Sequence, residues 1–543
     1  MSAFRGRTLI GAFAGLAMLA TACGGSGSGG EVSSSNETID QGVRSEIENQ
    51  LKGGETDDSG ATETTEAAAP AERPESMEEW FALWEKERAA VVERIKENGW
   101  GLQADGKTVT GPEGFTIDLS KCPGDWSNTE GLSDTEIKIG HTTAQSGTLA
   151  DYGNIGRGMD VLWKYQNDNG GWVDSEGKNR KLTMITKDDG YDSTRTIPLV
   201  DELIDSDKVF AMWTLGSPNT LKTYDKLNER CIVQPYSMTG HPAWGDPEFH
   251  PWTTGMALSY TSEAILWGSF IETHADELLA NDGKISVGAL VMNNDFGKAY
   301  DVGFKNFLAQ SPIKDDIEYL PETIEPAAPT IKDPMTTIAS KNPEVFVAMT
   351  AGTSCTQAVT EAAENGLKDS AIYLFTGQPC KGASFMGKDK VGGDGSASDG
   401  WWIAGGGNID GNAVSADDDA WFVWARDLLA KDGYNYKDSA NFLGGFLYGW
   451  PFWQSVLTAN ELDGGLTRAN LIVAIRSIDM TNPNLIPGIR FNLNGNADGY
   501  PIEGSEFAQY DYTQQTWIQD GDIVELSGKS ANCHWDQSIG NCT

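Results

Sequence analysis

From Asp134 onward, short apolar runs alternate with amphipathic ones, and this alternation is the dominant pattern of the chain. "EIKIGHTT" precedes a helical segment around Gly156 to Asn167, and "KLTMITKDD" precedes "STRTIPLVDELIDS". "KVFAMWTLG" then precedes "NTLKTYDKLNE", and "CIVQPYS" follows. Apolar runs of this kind read as strands buried on both faces, and the helices between them imply right-handed βαβ units and a parallel sheet. A long helix is expected from about Tyr260 to Ala280. The alternation then restarts with "KISVGALVMNN", "DIEYLPETI", "EVFVAMT", "AIYLFTG" and "GWWIAGGG". Because the break falls after a comparable number of units, two sheets are expected rather than one, within an α/β fold. Beyond Ser415 come two helices, "DDDAWFVWARDLLAKDG" and "FLGGFLYGWPFWQSVLTANELDGG", and then short strands near "IRFNL" and "FAQYDYTQQTWI".

Upstream the pattern changes twice. Ser76-Met77-Glu78-Glu79 has the form of a capping box and opens a helix whose Trp80, Leu83, Trp84, Val91 and Ile95 recur at helical spacing. That stripe is expected to pack on the main body, with a partner-binding helix as the alternative. The turn-rich "GWGLQADGKTVTGPEGFTIDLSKCPGDW" extends it to residue 132. Residues 24–75 are Gly/Ser-rich, then Glu/Thr/Ala-rich, and contain no aromatic residue. Such a segment buries too little to offset its ordering entropy and is expected to be a disordered tether. Ahead of it, Arg5 and Arg7, the apolar "LIGAFAGLAMLA" and "LATAC" ending at Cys23 resemble a bacterial lipoprotein signal. By that resemblance residues 1–23 are the signal, Cys23 is the lipidated residue, and the protein is exported and lipid-anchored on the outer face of the cytoplasmic membrane. Ala20 stands where such signals usually have Leu, and an ordinary secretory signal is the alternative. No later apolar run approaches the ~20 residues of a membrane span.

With 79 acidic against 40 basic side chains, a net charge of -39, the whole-molecule field repels phosphate and argues against nucleic acid or anionic lipid as partners. Of seven cysteines, six remain beyond Cys23, an even number for an oxidising compartment. Cys533 and Cys542 can close a small loop in a C-terminal tail, 529–543, and Cys355 and Cys380 each follow a strand. Cys122 and Cys231 are then left by elimination, among the ~15 pairings that six thiols allow.

Enzyme signatures are missing. There is no phosphate loop and no G-x-S-x-G elbow, since "GTSCT" at Gly352 lacks the closing glycine. Five histidines occur, none spaced as H-E-x-x-H, and no C-x-x-C, so no metal site and no cofactor are expected. "AGGGNIDG" misses dinucleotide spacing by one residue and reads as an ordinary loop. "NGNADGYPIEGSE" fails as a calcium loop because Ser505 stands where a glutamate is needed. The acidic run at Asp417 to Asp419 reads as a helix cap.

The positive signal lies at strand ends, where open α/β sheets bind ligands. "AQSGTLADYG", "LGSPNT", "YSMTGHP" and "NNDFGK" supply it. Ser146, Ser217, Ser237 and Thr239 offer hydroxyls, and Gly147, Gly216 and Gly240 permit close backbone approach. Gly352 joins them after "EVFVAMT". For each residue taken singly, a capping or turn role is the competing reading.

The ordered series "IKIG…SGTLADYG", "NDNGGW", "KDDGYD", "DELIDSDKVFAMWTLGSPNT", "NNDFGKAY" and "GGLTRANLIVAI" resembles the type I solute-binding proteins of ABC transporters, in the branched-chain amino acid (leucine/isoleucine/valine-binding) group. The resemblance implies two doubly wound lobes joined by three crossings and closing like a hinge. Lobe one would hold 133–254 and about 415–485, and lobe two 255–414 and about 486–528. It also implies that Ser217 matches the family's carboxylate-binding serine, that Thr239 lies close to its threonine, and that Tyr152 forms an aromatic wall. Phe296 stands where a tyrosine is common. Gln378 takes the place of a glutamate that pairs with the ligand's ammonium group, a change that removes a charge-assisted bond of roughly 1.5–3 kcal/mol. Trp213, Trp244, Trp401 and Trp402 read either as an enlarged pocket wall or as core.

The function expected is therefore a non-catalytic, monomeric solute-binding lipoprotein of an ABC importer. It would take a small amino acid-like or amide solute in an interlobe cleft and deliver it to the permease. A sensing module of the same fold is the first alternative. An exported hydrolase is the second, which Ser146 or Ser354 near a histidine would revive.

Overall fold

The computed structural model describes residues 43–47, 50 and 73–543. The expected signal with Cys23 and most of the expected tether lie outside these residues.

Two parallel sheets organise the chain. In lobe one, β1 (Glu136–Thr143) lies between β2 (Asn179–Asp188) and β3 (Ala211–Thr214), in register Ile137↔Leu182 and Ile139↔Ala211. Parallel bridges Ala211↔Val233 and Leu215↔Met238 carry the sheet on to β4 (Gln234–Ser237), which pairs with β5 (Thr253–Gly255). In lobe two, β6 (Ile285–Met292), β7 (Ile317–Ile324), β8 (Val345–Met349), β9 (Tyr373–Thr376) and β10 (Trp402–Ala404) are parallel, in the order β7-β6-β8-β9-β10. Antiparallel β11 (Ser505–Asp511) and β12 (Thr516–Val524) complete that sheet. β3 and β8 are buried at every position, as strands covered on both faces must be. Strand order reverses at β1 and at β6, the switch points where crevices open.

The helices used below are α1 (Met77–Glu97), α2 (Gly153–Asp168), α3 (Ser193–Asp205), α4 (Ser217–Leu221), α5 (Tyr260–Thr273), α6 (Asp295–Gln310), α7 (Thr353–Glu364), α8 (Ala420–Lys431) and α9 (Asn441–Asn460). Asp419 caps α8 by accepting from the amides of Trp421 and Phe422, as expected of the acidic run. Disulfides join Cys122 to Cys231, Cys355 to Cys380 and Cys533 to Cys542.

Two apolar cores mark where the chain changes lobe. Met256 belongs to the first and Leu258 to the second, Ala404 to the second and Ala416 to the first, and Ile502 to the first and Phe507 to the second. Leu485, Ile489, Phe491, Leu493 and Ile502 all pack in the first core. The last crossing thus follows Ile502 rather than lying near 485. "IRFNL" forms an isolated bridge at Asn492, with another at the following Asn494, and no continuous strand. Its side chains are held by the lobe-one core instead of by a ladder.

Residues 43–47 are helical, which composition alone does not predict for that stretch. Val43 and Ile47, four apart on one helix face, enter the lobe-two core. Arg44 pairs with Glu272. The Gln50 amide exchanges two 3.0 Å hydrogen bonds with the backbone of Glu525.

The tryptophan stripe of α1 packs on lobe one. Trp84 lies 5.6 Å from Trp421, 5.5 Å from Trp450 and 6.0 Å from Trp453 between ring centroids, and its indole N–H donates to Thr481 O at 3.0 Å. Removing a fully buried aromatic side chain costs the transfer energy and leaves a cavity. Trp84→Ala is therefore expected to lower unfolding stability by about 3–5 kcal/mol in urea titrations. A loss below about 1 kcal/mol would show that α1 is a loosely held appendage.

Candidate functional site

The carboxyl ends of eight parallel strands face one cavity between the lobes. From lobe one, the turn after β1 brings Leu149 and Tyr152, that after β2 Tyr191, that after β3 Gly216 and Ser217, and that after β4 Met238 and Thr239. From lobe two come Phe296 after β6, Ala351 after β8, Gln378 and Lys381 after β9, and Asn408 to Gly411 after β10. α9 closes one side with Leu443, Leu447 and Tyr448. The empty space is about 1220 Å³, counting the part continuous with solvent.

One end of the cavity carries hydroxyls. Ser217 and Thr239 share a hydrogen bond of 2.6 Å, and Thr239 Oγ1 lies 3.2 Å from the Tyr260 hydroxyl. Burial pushes the Tyr260 phenol up to about 12, so it remains a neutral donor. Ser217 is placed by Gly216, whose φ is +93°; a Cβ there would stand 2.3 Å from the Tyr191 ring. Tyr191 itself has φ +63°, a left-handed conformation that costs a side-chain-bearing residue roughly 1–2 kcal/mol. Buried Asp189 holds this turn: it accepts from the Tyr191 amide at 2.8 Å, from Thr196 at 3.0 Å and from Asn219 in α4 at 3.1 Å. The strain thus keeps the Tyr191 ring against the Ser217 turn.

Tyr152 spans the cleft. Its hydroxyl accepts the Gly352 N–H at 3.1 Å and donates to Pro379 O at 3.4 Å, both in lobe two. Gly352 has φ +63°, and a Cβ there would meet the Leu149 side chain at 2.4 Å. A glycine is what lets the lobes approach this closely. Thr148 adds a bond to Pro326 O at 3.1 Å.

The charged groups are largely spoken for. Lys381 is ion-paired with buried Glu506 and donates to the Asn408 carbonyl. Asp410 accepts from the amides of Asn412 at 3.0 Å and Ala383 at 3.1 Å, and desolvation pushes its carboxyl up. Gln378 donates its side-chain amide to Leu258 O at 2.9 Å and its backbone N–H to Glu263 at 2.8 Å. Glu263, buried behind it, also accepts from Tyr300 at 2.5 Å. Desolvation raises the Glu263 carboxyl to about 8 despite these bonds. At neutral pH it presents no carboxylate to a cationic solute.

Of the residues singled out by sequence, Tyr152, Gly216, Ser217, Thr239, Phe296 and Gln378 line the cavity. Ser146, Gly147, Ser237 and Gly352 do not. Ser146 and Gly147 are exposed, with Ser146 turned to Asp188. Ser237 is buried beneath the rim, and Gly352 acts through Tyr152. The four tryptophans are core or sheet packing. Trp213 lies on Trp163 and Phe452, Trp244 on Tyr224, Trp401 on Phe346, and Trp402 on Phe270. Sequence reasoning passed over Tyr191, although its turn follows a strand like the others. It also read "GGGNIDG" as an ordinary loop and missed the α9 residues, whose place only the tertiary fold reveals. Neither Ser146 nor Ser354 is hydrogen-bonded to a histidine among the described residues. No helix of the described residues is long and apolar enough to cross a membrane.

Residues 136–384 match the family described as periplasmic binding protein. No curated protein sequence matches. Among solved structures, a fatty acid ABC transporter substrate-binding protein from Thermomonospora curvata is 17% identical, with TM-score 0.58, covering 76% of this chain and 96% of its own. A branched-chain amino acid ABC transporter protein from Thermus thermophilus with bound valine is 14% identical, with TM-score 0.58, covering 73% and 98%. A solute-binding protein from R. palustris in complex with benzoate is 17% identical, with TM-score 0.56, covering 74% and 99%. At these identities the likeness is one of fold.

The raised Glu263 carboxyl has a consequence for stability. Between about 4.5 and about 8 the folded protein holds a proton that the unfolded chain has released. Stability attributable to this group therefore falls as pH rises through that window. Glu263→Gln, which mimics the protonated form, is expected to reduce the loss of unfolding free energy between pH 5 and pH 8.5 by about 1–3 kcal/mol. Identical pH dependence in wild type and variant would show that Glu263 is ionised in the fold.

Proposed function

We propose that the chain is an extracytoplasmic solute-binding protein of the ABC-transporter type, a reading supported by its type I periplasmic binding fold and the family match over 136–384, and that its solute is a small apolar-bodied acid or amide held in the interlobe cavity. The observation that carries this reading is the pairing of one hydroxyl cluster, Ser217, Thr239 and Tyr260, with walls of Leu149, Ile155, Leu215, Met238, Leu443 and Phe385. Hydroxyl groups at one end suit a carbonyl or carboxylate oxygen, and the apolar remainder suits a hydrocarbon or aromatic body.

The expectation of an amino acid-like or amide solute is narrowed by the groups beside this cluster, where Tyr260 stacks on Tyr300 and Tyr300 bonds Glu263. Gln378 and protonated Glu263 offer no charge to an α-ammonium group, while Lys381 is already paired. An acid or amide without an α-amine therefore fits better than leucine or valine. The proteins of similar fold, one with bound valine, one in complex with benzoate and one from a fatty acid ABC transporter, span this range of chemistry. Closure would come from contacts made only with the lobes together, such as those of Tyr152. In this reading Cys23 carries a lipid anchor, the protein works as a monomer that hands its solute to the permease, and no residue is catalytic.

A thermal-shift screen against amino acids, short amides, urea, and aliphatic and aromatic carboxylates tests this, because a ligand of the folded state raises its melting temperature. Apolar carboxylates or amides are expected to stabilise the protein, and Ser217→Ala to weaken the best of them about tenfold. Stabilisation confined to α-amino acids, or to none of these classes, contradicts the proposal.

A further inference from the structure

Away from the cavity, Asp246 and His250 stand four residues apart in "GDPEFHP" between β4 and β5, and His534 reaches them from the C-terminal tail. Asp246 and the ring nitrogens of both histidines converge so that their ligand-capable atoms all lie within 4.8 Å of one another. His250 Nδ1 and His534 Nδ1 are each 2.8 Å from the same oxygen, Asp246 Oδ2. Asp246 is buried, and its other oxygen accepts the Phe249 amide at 3.1 Å, which aims Oδ2 at the two imidazoles.

A second observation is the support behind His250. Its far nitrogen, Nε2, is 2.9 Å from Asp225 Oδ1, and the Tyr224 ring stacks on it at 4.2 Å. A carboxylate on the outer nitrogen is the usual device for orienting an imidazole that ligates a metal. Phe249 covers His534 with ring centroids 4.2 Å apart, and the His534 side chain is 41% exposed, so the cluster opens to solvent.

We propose that Asp246, His250 and His534 form a site for one divalent transition-metal ion of the zinc type, with Asp225 fixing His250 from behind and water completing the coordination. Two imidazoles and one carboxylate are a donor set that suits zinc, and three protein ligands plus water complete a tetrahedron. Ligand atoms about 2.0–2.1 Å from a tetrahedral zinc lie about 3.3 Å apart. For the ion to enter, the two 2.8 Å spacings to Asp246 must widen and the spacing between the two imidazole nitrogens, now within 4.8 Å, must settle near that value. The ion takes the place of the ring protons now lying between the imidazoles and Oδ2, and these are released to solvent.

The site would fasten a strap. The tail bonds lobe one through Cys533 N–H to Gly245 O at 2.8 Å and Gln537 to Leu221 O at 3.2 Å. It meets lobe two through Asn541, which accepts from Asn306 of α6 at 3.3 Å. An ion joining His534 to Asp246 and His250 would clamp this link between the lobes.

The test uses the full chain, without a histidine tag and stripped with chelator, titrated calorimetrically with zinc chloride. One zinc per chain and a raised melting temperature are expected. His534→Ala is expected to lower the affinity at least about tenfold while the metal-free melting temperature stays near that of wild type. Asp225→Asn, which touches no ion, is expected to weaken zinc binding about 10–100-fold. Absence of zinc binding in the wild type, or binding undiminished in either variant, overturns the proposal.

Discussion

The hydroxyl of Tyr152 is shared between the lobes. It accepts an amide hydrogen from Gly352 and donates to the carbonyl of Pro379, so the turn after the first strand of one lobe is fixed to two turns of the other. The walls of the cavity exist as one surface only when these turns meet. Gly352 makes the meeting sterically possible, since any side chain there would strike Leu149. Two neutral hydrogen bonds contribute on the order of 1 kcal/mol each. Such a contact holds a closed state without locking it, which suits the proposed binding and release of a solute.

The chemistry of the cavity follows from which charges have been neutralised. Lys381 and Glu506 cancel within the wall, Glu263 keeps its proton through neutral pH, and Gln378 spends its amide on the Leu258 carbonyl. Toward a solute the cavity presents the hydroxyls of Ser217 and Thr239 and the rings of Tyr152, Tyr191, Tyr260 and Tyr448, beside aliphatic walls and the Asp410 carboxyl, which two backbone amides hold. In the proposed function, selectivity on such a surface would rest on shape and an oxygen contact rather than on paired charges.

The parallel strands were legible in the sequence because two-sided burial forces continuous apolar runs, and "EVFVAMT" and "KVFAMWTLG" carry them. Strand-end turns were legible for the same reason, and they brought Ser217, Thr239 and Gln378 to the cavity. Ser146 was misplaced because a hydroxyl in a turn says nothing of where it points, and here it turns to Asp188. Val43 and Ile47 escaped notice because two apolar residues are too few to reverse a polar composition, though they reach the lobe-two core. The third crossing was set too early because the segment from Leu485 to Ile502 has irregular backbone, and its lobe is decided by side-chain packing alone. Asp246, His250 and His534 meet only through the tertiary path of the tail.

In the proposed function the two lobes close over a solute and Tyr152 secures the closed state. Paired spin labels, one on an exposed position of each lobe, measure it directly by pulsed electron resonance. A stabilising solute is expected to shorten the interlobe distance and narrow its distribution, with Tyr152→Phe leaving a larger open fraction at saturation. An interlobe distance unchanged by such a solute would contradict the account.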